Sequence, residues 1–152
     1  MLISGHILNF PSVKSVASSG SRRLHHVAIA VRDMDASLAF YGARLGLHVE
    51  KRDVLPVQGV DVALLRLANS ELELIMPLAM SNGIGRFVER RGEGLHHVCF
   101  TTPDIRAEMA DSRSRGVEII EPEPREGIAG LVCFFHPRAH AGVLVELVEV
   151  QS

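Results

Sequence analysis

The sequence predicts an α+β domain built from two tandem βαβββ modules, with the strands joined in one curved sheet and the helices outside it. Three observations predict it. Leu24-His25-His26-Val27 returns as Leu95-His96-His97-Val98, an offset of 97 − 26 = 71 residues. Each copy leads into a helix-like stretch opened by Asp33-Met34 or Asp104-Ile105, then into a glycine and an apolar alternation, Gly46-Leu47-His48-Val49 or Gly116-Val117-Glu118-Ile119. Each half closes on a strand with an acid between apolar residues, Leu72-Glu73-Leu74-Ile75 and Val145-Glu146-Leu147-Val148. A doublet alone recurs by chance, but these features in one order mark a duplication.

The elements follow in order. His25–Val31 alternates as a strand, and Asp33 or Asp35 can cap a helix running through Leu45, with Leu38, Tyr41 and Leu45 on one face. Gly46 ends it. Strands are expected near Val49–Leu55, Val60–Leu67 and Glu71–Met76, with Asn69-Ser70 as a tight turn. Between the halves, Ile84, Phe87 and Val88 predict a short amphipathic helix over Gly83–Arg91, closed by Gly92-Glu93-Gly94. In the second half Leu95–Thr101 is a strand, and Pro103 suits the start of a helix that reaches Arg115 before Gly116. Strands are then expected near Val117–Ile120, Leu131–Phe135 and Val143–Val150. The domain expectation is an N-terminal arm over 1–22 and one domain over 23–152, with module one at 24–78, a linker helix segment at 79–94 and module two at 95–150.

Composition excludes several classes. At 152 residues, 47% apolar and 22% charged, the chain has enough core for one globular domain without disulfide staples. The net charge of −2 gives no basic excess for nucleic acid. No apolar run approaches the ~18 residues of a membrane span. Cys99 and Cys133 sit in apolar runs and read as buried thiols of a reducing compartment. Residues 1–23 hold no acid and are rich in serine. They read as a loose arm on a cytoplasmic protein, or alternatively as a presequence directing it to the mitochondrial matrix.

The repeat also organises the chemistry. Strand parity puts His26 on one face with Ala28 and Ala30, and His97 with Cys99 and Thr101. Glu146 shares a face with Leu144 and Val148, where a buried carboxylate is costly without compensation. His26, Glu73, His97 and Glu146 therefore form a pseudo-twofold quartet, with matched spacings of 73 − 26 = 47 and 146 − 97 = 49 residues. Two imidazoles and two carboxylates suit one divalent first-row metal ion with positions left for substrate. Glu71, Glu118 and Glu149 lack matched partners and are expected to be solvated. His48, His136 and His140 have no repeat partner either, and His136-Pro137 reads as a turn. Arg86, Arg90 and Arg91 fit a solvated helix face or contacts to ligand phosphates.

From Leu24 to Val150 the chain resembles the vicinal-oxygen-chelate superfamily, and within it the methylmalonyl-CoA epimerase family. The resemblance lies in Leu24-His25-His26-Val27-Ala28-Ile29-Ala30-Val31, Gln58-Gly59-Val60 and Glu73-Leu74-Ile75-Met76-Pro77-Leu78. It is most specific in Gly92-Glu93-Gly94-Leu95-His96-His97-Val98 and in His136-Pro137 followed by Gly142-Val143-Leu144-Val145-Glu146-Leu147. It implies a half-barrel around a divalent metal, with His26, His97, Glu146 and Glu73 as ligands. Some members carry a proposed catalytic glutamate three residues after the glycine of Gln-Gly-Val, where this chain has Val62. The base role is therefore expected on Glu73, paired with Glu146 on the other face. Gly127-Ile128-Ala129-Gly130 is one residue shorter than the family's corresponding loop, so substrate contacts from it are expected to differ.

The implied activity interconverts the 2R and 2S forms of methylmalonyl-CoA through a metal-stabilised enolate. It implies one divalent ion per site (cobalt first, with nickel, manganese or zinc as alternatives), a small acyl-CoA substrate and a homodimer, with no nucleic-acid or membrane partner. Two alternatives share the fold: lactoylglutathione lyase (glyoxalase I), with a similar donor set, and a metal-free binding module of the drug-resistance type.

Overall fold

The computed structural model describes residues 22–151. The expected arm thus lies outside the described residues, save for Arg22. Eight strands form one sheet: β1 (Leu24–Ala30), β2 (His48–Leu55), β3 (Val60–Arg66), β4 (Glu71–Pro77), β5 (Gly94–Thr101), β6 (Arg125–Glu126), β7 (Gly130–Phe135) and β8 (Val145–Val150). Their order is β2-β3-β4-β1-β5-β8-β7-β6, which reads the same module outward from either side of the β1–β5 pair. β1 runs parallel to β4, β5 runs parallel to β8, and β1 meets β5 antiparallel. A pseudo-twofold axis therefore passes between β1 and β5, and the sheet curves about it as the expected half-barrel.

Among the described residues, three α-helices flank the sheet: α1 (Met34–Leu38), α2 (Gly83–Arg91) and α3 (Ile105–Ser114). The Asp33 and Asp104 carboxylates accept the Ala36 and Ala107 N–H groups, both at 2.9 Å, so each module's helix starts on the predicted acid. α1 buries Met34 against Val31, Leu65 and Leu74, and α3 buries Ile105 and Met109 against Cys133 and Leu147. Each such side chain contributes about 1.5–3 kcal/mol when fully buried. The concave face is closed by a different set. There Val60, Val62, Leu64, Ile75 and Val88 of α2 pack with Ile128, reached from the other module. Lys51 Nζ donates to the Ile128 carbonyl at 2.8 Å and Gln58 Nε2 to the Glu126 carbonyl at 2.6 Å, tying the β2–β3 hairpin to β6 and the loop that follows it.

Three expectations are corrected. The single helix predicted through Leu45 is α-helical only to Leu38 and continues as a wider π-helical turn over Ala39–Arg44. The Leu45 N–H reaches back to the Phe40 carbonyl, and Gly46, at φ 74°, then ends the helix where predicted. The strand predicted at Val117–Ile120 is reduced to one bridge, Ile119 to Phe135, and β6 supplies the edge instead. Pro122 and Pro124 lie between them, and a proline lacks the N–H an edge ladder needs. The strand predicted from Val143 begins at Val145, after a tight turn over Pro137–Ala139 capped by the His136 ring.

Candidate metal centre

Register brings the quartet together. Ala28 of β1 lies opposite Glu73 of β4, and Cys99 of β5 opposite Glu146 of β8. His26 and His97 each stand two residues earlier in the same strands, so all four side chains leave the same face. Across the β1–β5 seam, His26 pairs with Cys99 and His97 with Ala28, so each large ring sits opposite a small residue. All four are at least 95% buried.

The donor atoms converge tightly. His26 Nε2 and His97 Nε2 are 3.0 Å apart. Glu146 Oε2 stands 2.7 Å from His97 Nε2 and 3.7 Å from His26 Nε2. Glu73 Oε2 stands 3.4 Å and 3.7 Å from the same two nitrogens, yet it is buried with no hydrogen-bond partner among the described residues. Burial works against ionisation of Glu146, but hydrogen bonding and charge from His26 and His97 overcome it and hold its carboxyl at about 2. At Glu73 burial dominates and, with the Glu146 charge beside it, pushes the carboxyl above its ordinary range. Burial opposes a charged His26, but the facing carboxylates outweigh it and raise this imidazole. Two module-related acids thus sit in unlike environments.

These residues fit a divalent cation. His26, His97 and Glu146 present one donor each, all within 4.8 Å of one another. Two imidazole nitrogens 3.0 Å apart are close to the span of two metal bonds of about 2.1 Å at a right angle. Glu73 Oε2, costly to bury alone and with no hydrogen-bond partner among the described residues, is placed beside them to offer a fourth donor.

The site forms the floor of a cavity of about 950 Å³. Val60, Val62 and Ile75 line one wall and Val132 and Phe134 another, while Arg86, Arg90 and Arg91 line the side formed by α2. The Phe134 ring packs edge-on against His97 at 5.3 Å and carries the Arg125 guanidinium 5.1 Å from its centre. Glu121 fixes that arginine, accepting its Nε–H at 3.1 Å and the Phe134 N–H at 2.8 Å. Cys99 and Cys133 are buried free thiols, as expected; burial raises both, Cys133 to about 12.

Sequence reasoning placed the quartet but missed its surroundings. Glu71, expected in solvent, is half-buried with Oε2 3.7 Å from His25 Nδ1. Glu149 also leaves solvent: its carboxylate accepts the Ile105 N–H at the start of α3, at 2.8 Å. Glu118 does lie exposed, paired with Arg138 at 3.2 Å. His25 and His96, read only as strand neighbours, have their Nδ1 atoms 2.8 Å from the Nδ1 atoms of His26 and His97. Burial and the adjacent imidazole push both outer rings down to about 4. The signal was present, since the doublet itself repeats, but strand alternation sends neighbouring side chains apart and hides such a contact.

Paired βαβββ modules that share a concave His/Glu centre define a recognisable class. Residues 25–135 match the model of the Glyoxalase/Bleomycin resistance protein/Dioxygenase superfamily. The chain is 38% identical over 127 residues to a mitochondrial methylmalonyl-CoA epimerase of Homo sapiens, covering 82% of this chain and 72% of the human one. It is also 38% identical over 131 residues to an ethylmalonyl-CoA/methylmalonyl-CoA epimerase of Cereibacter sphaeroides, covering 84% of this chain and 98% of that one. The solved structure of a methylmalonyl-CoA epimerase from Mycobacterium tuberculosis superposes with a TM-score of 0.82 at 33% identity, over 86% of this chain and 89% of that one. The chain belongs to this superfamily and, within it, to the methylmalonyl-CoA epimerase family.

Proposed function

We propose that the chain epimerises methylmalonyl-CoA at C2, with His26, His97, Glu146 and Glu73 holding one divalent metal ion, cobalt foremost among the candidates. The observation that carries this reading is the pair of module-related carboxylates converging on one buried centre at the floor of an open cavity. A bound divalent ion supplies Lewis-acid stabilisation of the negative charge that develops on the thioester oxygen.

The chain's own residues account for the proton movements. Inverting C2 requires a proton taken from one face of the carbon and a proton returned to the other. Glu73 and Glu146 reach the centre from opposite halves of the sheet and supply one carboxyl to each face. Glu73 is the acceptor: Val62 on the adjacent wall offers no carboxylate, and Glu73 Oε2 has no hydrogen-bond partner among the described residues. Glu146, its charge shared with His97 at 2.7 Å, serves the opposite face. Val60, Val62 and Ile75 give the wall beside Glu73 an apolar lining, which favours proton transfer to a carboxylate over its hydration. Arg86, Arg90 and Arg91 on the α2 side suit the phosphates of an acyl-CoA, and Arg125 adds positive charge over Phe134. We propose a homodimer as the working assembly, on the family resemblance alone.

Proton NMR in deuterated water with racemic methylmalonyl-CoA tests the reading. The C2 proton should exchange far faster than in buffer, only with a divalent ion present, and chelation should stop it. A metal-loaded protein that leaves the C2 proton at the buffer rate would sink the proposal. Turnover of a glutathione hemithioacetal by the same sample would then reassign the site to lactoylglutathione lyase chemistry.

A further inference from the structure

Each candidate ligand histidine is preceded by another histidine, and the proposed reaction gives the outer pair no task. The two doublets nevertheless share one geometry. In both, the Nδ1 atoms are 2.8 Å apart, and the rings meet edge to face with centroids 5.1 Å apart and planes at 79°. The modules diverge behind the doublets: Glu71 lies beside His25, whereas the Phe87 ring of α2 meets His96 at 4.8 Å. The shared part therefore belongs to the doublet and not to a common backdrop.

Tautomer bookkeeping gives the contact a purpose. His26 and His97 turn Nε2 toward each other and toward the two carboxylates. To ligate through Nε2, each ring must carry its proton on Nδ1, and that N–H then needs an acceptor. The atom placed to accept it is Nδ1 of the preceding histidine, whose own proton then sits on Nε2. Four rings, four protons and both Nδ1 contacts are satisfied together. Both inner Nε2 lone pairs face the centre.

We infer that His25 and His96 are matched positioning residues, which accept the Nδ1–H of His26 and His97 and thereby fix the tautomer and ring orientation of the ligand pair. Outer partners of this kind are worth about 10–100-fold in metal affinity. The inference rests on the proposed metal centre.

The test uses the full chain loaded with zinc for NMR and with cobalt for affinity and visible spectra. In the zinc form, His26 and His97 should carry Nδ1–H, with nitrogen–nitrogen coupling through the hydrogen bond to Nδ1 of His25 and His96. Absence of that coupling from a zinc-loaded sample overturns the inference without any variant. His25→Leu and His96→Leu should each weaken cobalt binding by roughly 10–100-fold and alter the cobalt spectrum. Asparagine, whose Oδ1 occupies the place of Nδ1, should restore affinity to within a few-fold. Leucine variants that bind cobalt like the unsubstituted chain, or asparagine variants no better than leucine, overturn the positioning role alone. An unsubstituted chain that binds neither ion overturns the metal reading as well.

Discussion

Glu73 and Glu146 show how two copies of one residue acquire different chemistry. Both leave the concave face beside a histidine from the other module, and both are buried. Glu146 Oε2 lies 2.7 Å from His97 Nε2, while Glu73 Oε2 has no hydrogen-bond partner among the described residues. Pairs of carboxyls driven apart in this way divide acid and base roles between them. Glu73→Gln keeps the shape and removes the basic oxygen. Epimerisation at C2 should fall at least ~100-fold, the lower range for loss of a general base. Cobalt titration should show binding retained within about tenfold, because His26, His97 and Glu146 form a donor group without it. Turnover at the unsubstituted rate would remove Glu73 from the mechanism.

At the scale of elements, α2 decides the shape of the cavity, and its seat is built from two residues. The Asn82 Oδ1 caps the helix by accepting the Gly85 N–H at 2.7 Å, and its Nδ2 donates to the Gly59 carbonyl at 2.6 Å, joining the helix to the β2–β3 turn. Gly85 lies so close to the Met80 backbone that any Cβ there would overlap it, whereas a Cβ on Gly83 meets nothing. Gly85→Ala should therefore destabilise the protein by about 1–3 kcal/mol, as overpacking does. Gly83→Ala should cost nothing or stabilise by a few tenths, about 0.4–1 kcal/mol at most. Denaturant unfolding of the two variants side by side checks this. Equal midpoints would mean that α2 is not held by close backbone packing.

Across the whole molecule, the centre lies where the modules meet, so a ligand held there fastens one half to the other. His26 and Glu73 come from module one, and His97 and Glu146 from module two. A divalent ion should raise the melting temperature with a concentration dependence set by binding to the folded state alone. That stabilisation amounts to about 2.7 kcal/mol at a free ion concentration a hundred times Kd. Scanning calorimetry across a cobalt series measures the increment. In His26→Ala or His97→Ala it should largely vanish, even if the ion-free melting temperature moves. A full increment in either variant would place the stabilising ion elsewhere.

Much of this was legible in the order of residues. The repeat exposed the modules, parity gave the inward histidines, and matched spacing paired them with Glu73 and Glu146, because strand alternation and duplication are properties of the chain itself. The Ala39–Arg44 turn and the lost edge at Val117–Ile120 were less legible, since a wider helical turn and a proline-limited ladder depend on what packs beside them. Only the tertiary structure decided which carboxylate is partnered, that Glu71 and Glu149 leave solvent, and that His25 and His96 touch the rings that follow them. Sequence fixes which atoms are available on each face. Their distances, and therefore their charges and hydrogen bonds, are set by the curvature that brings two halves of the sheet around one axis.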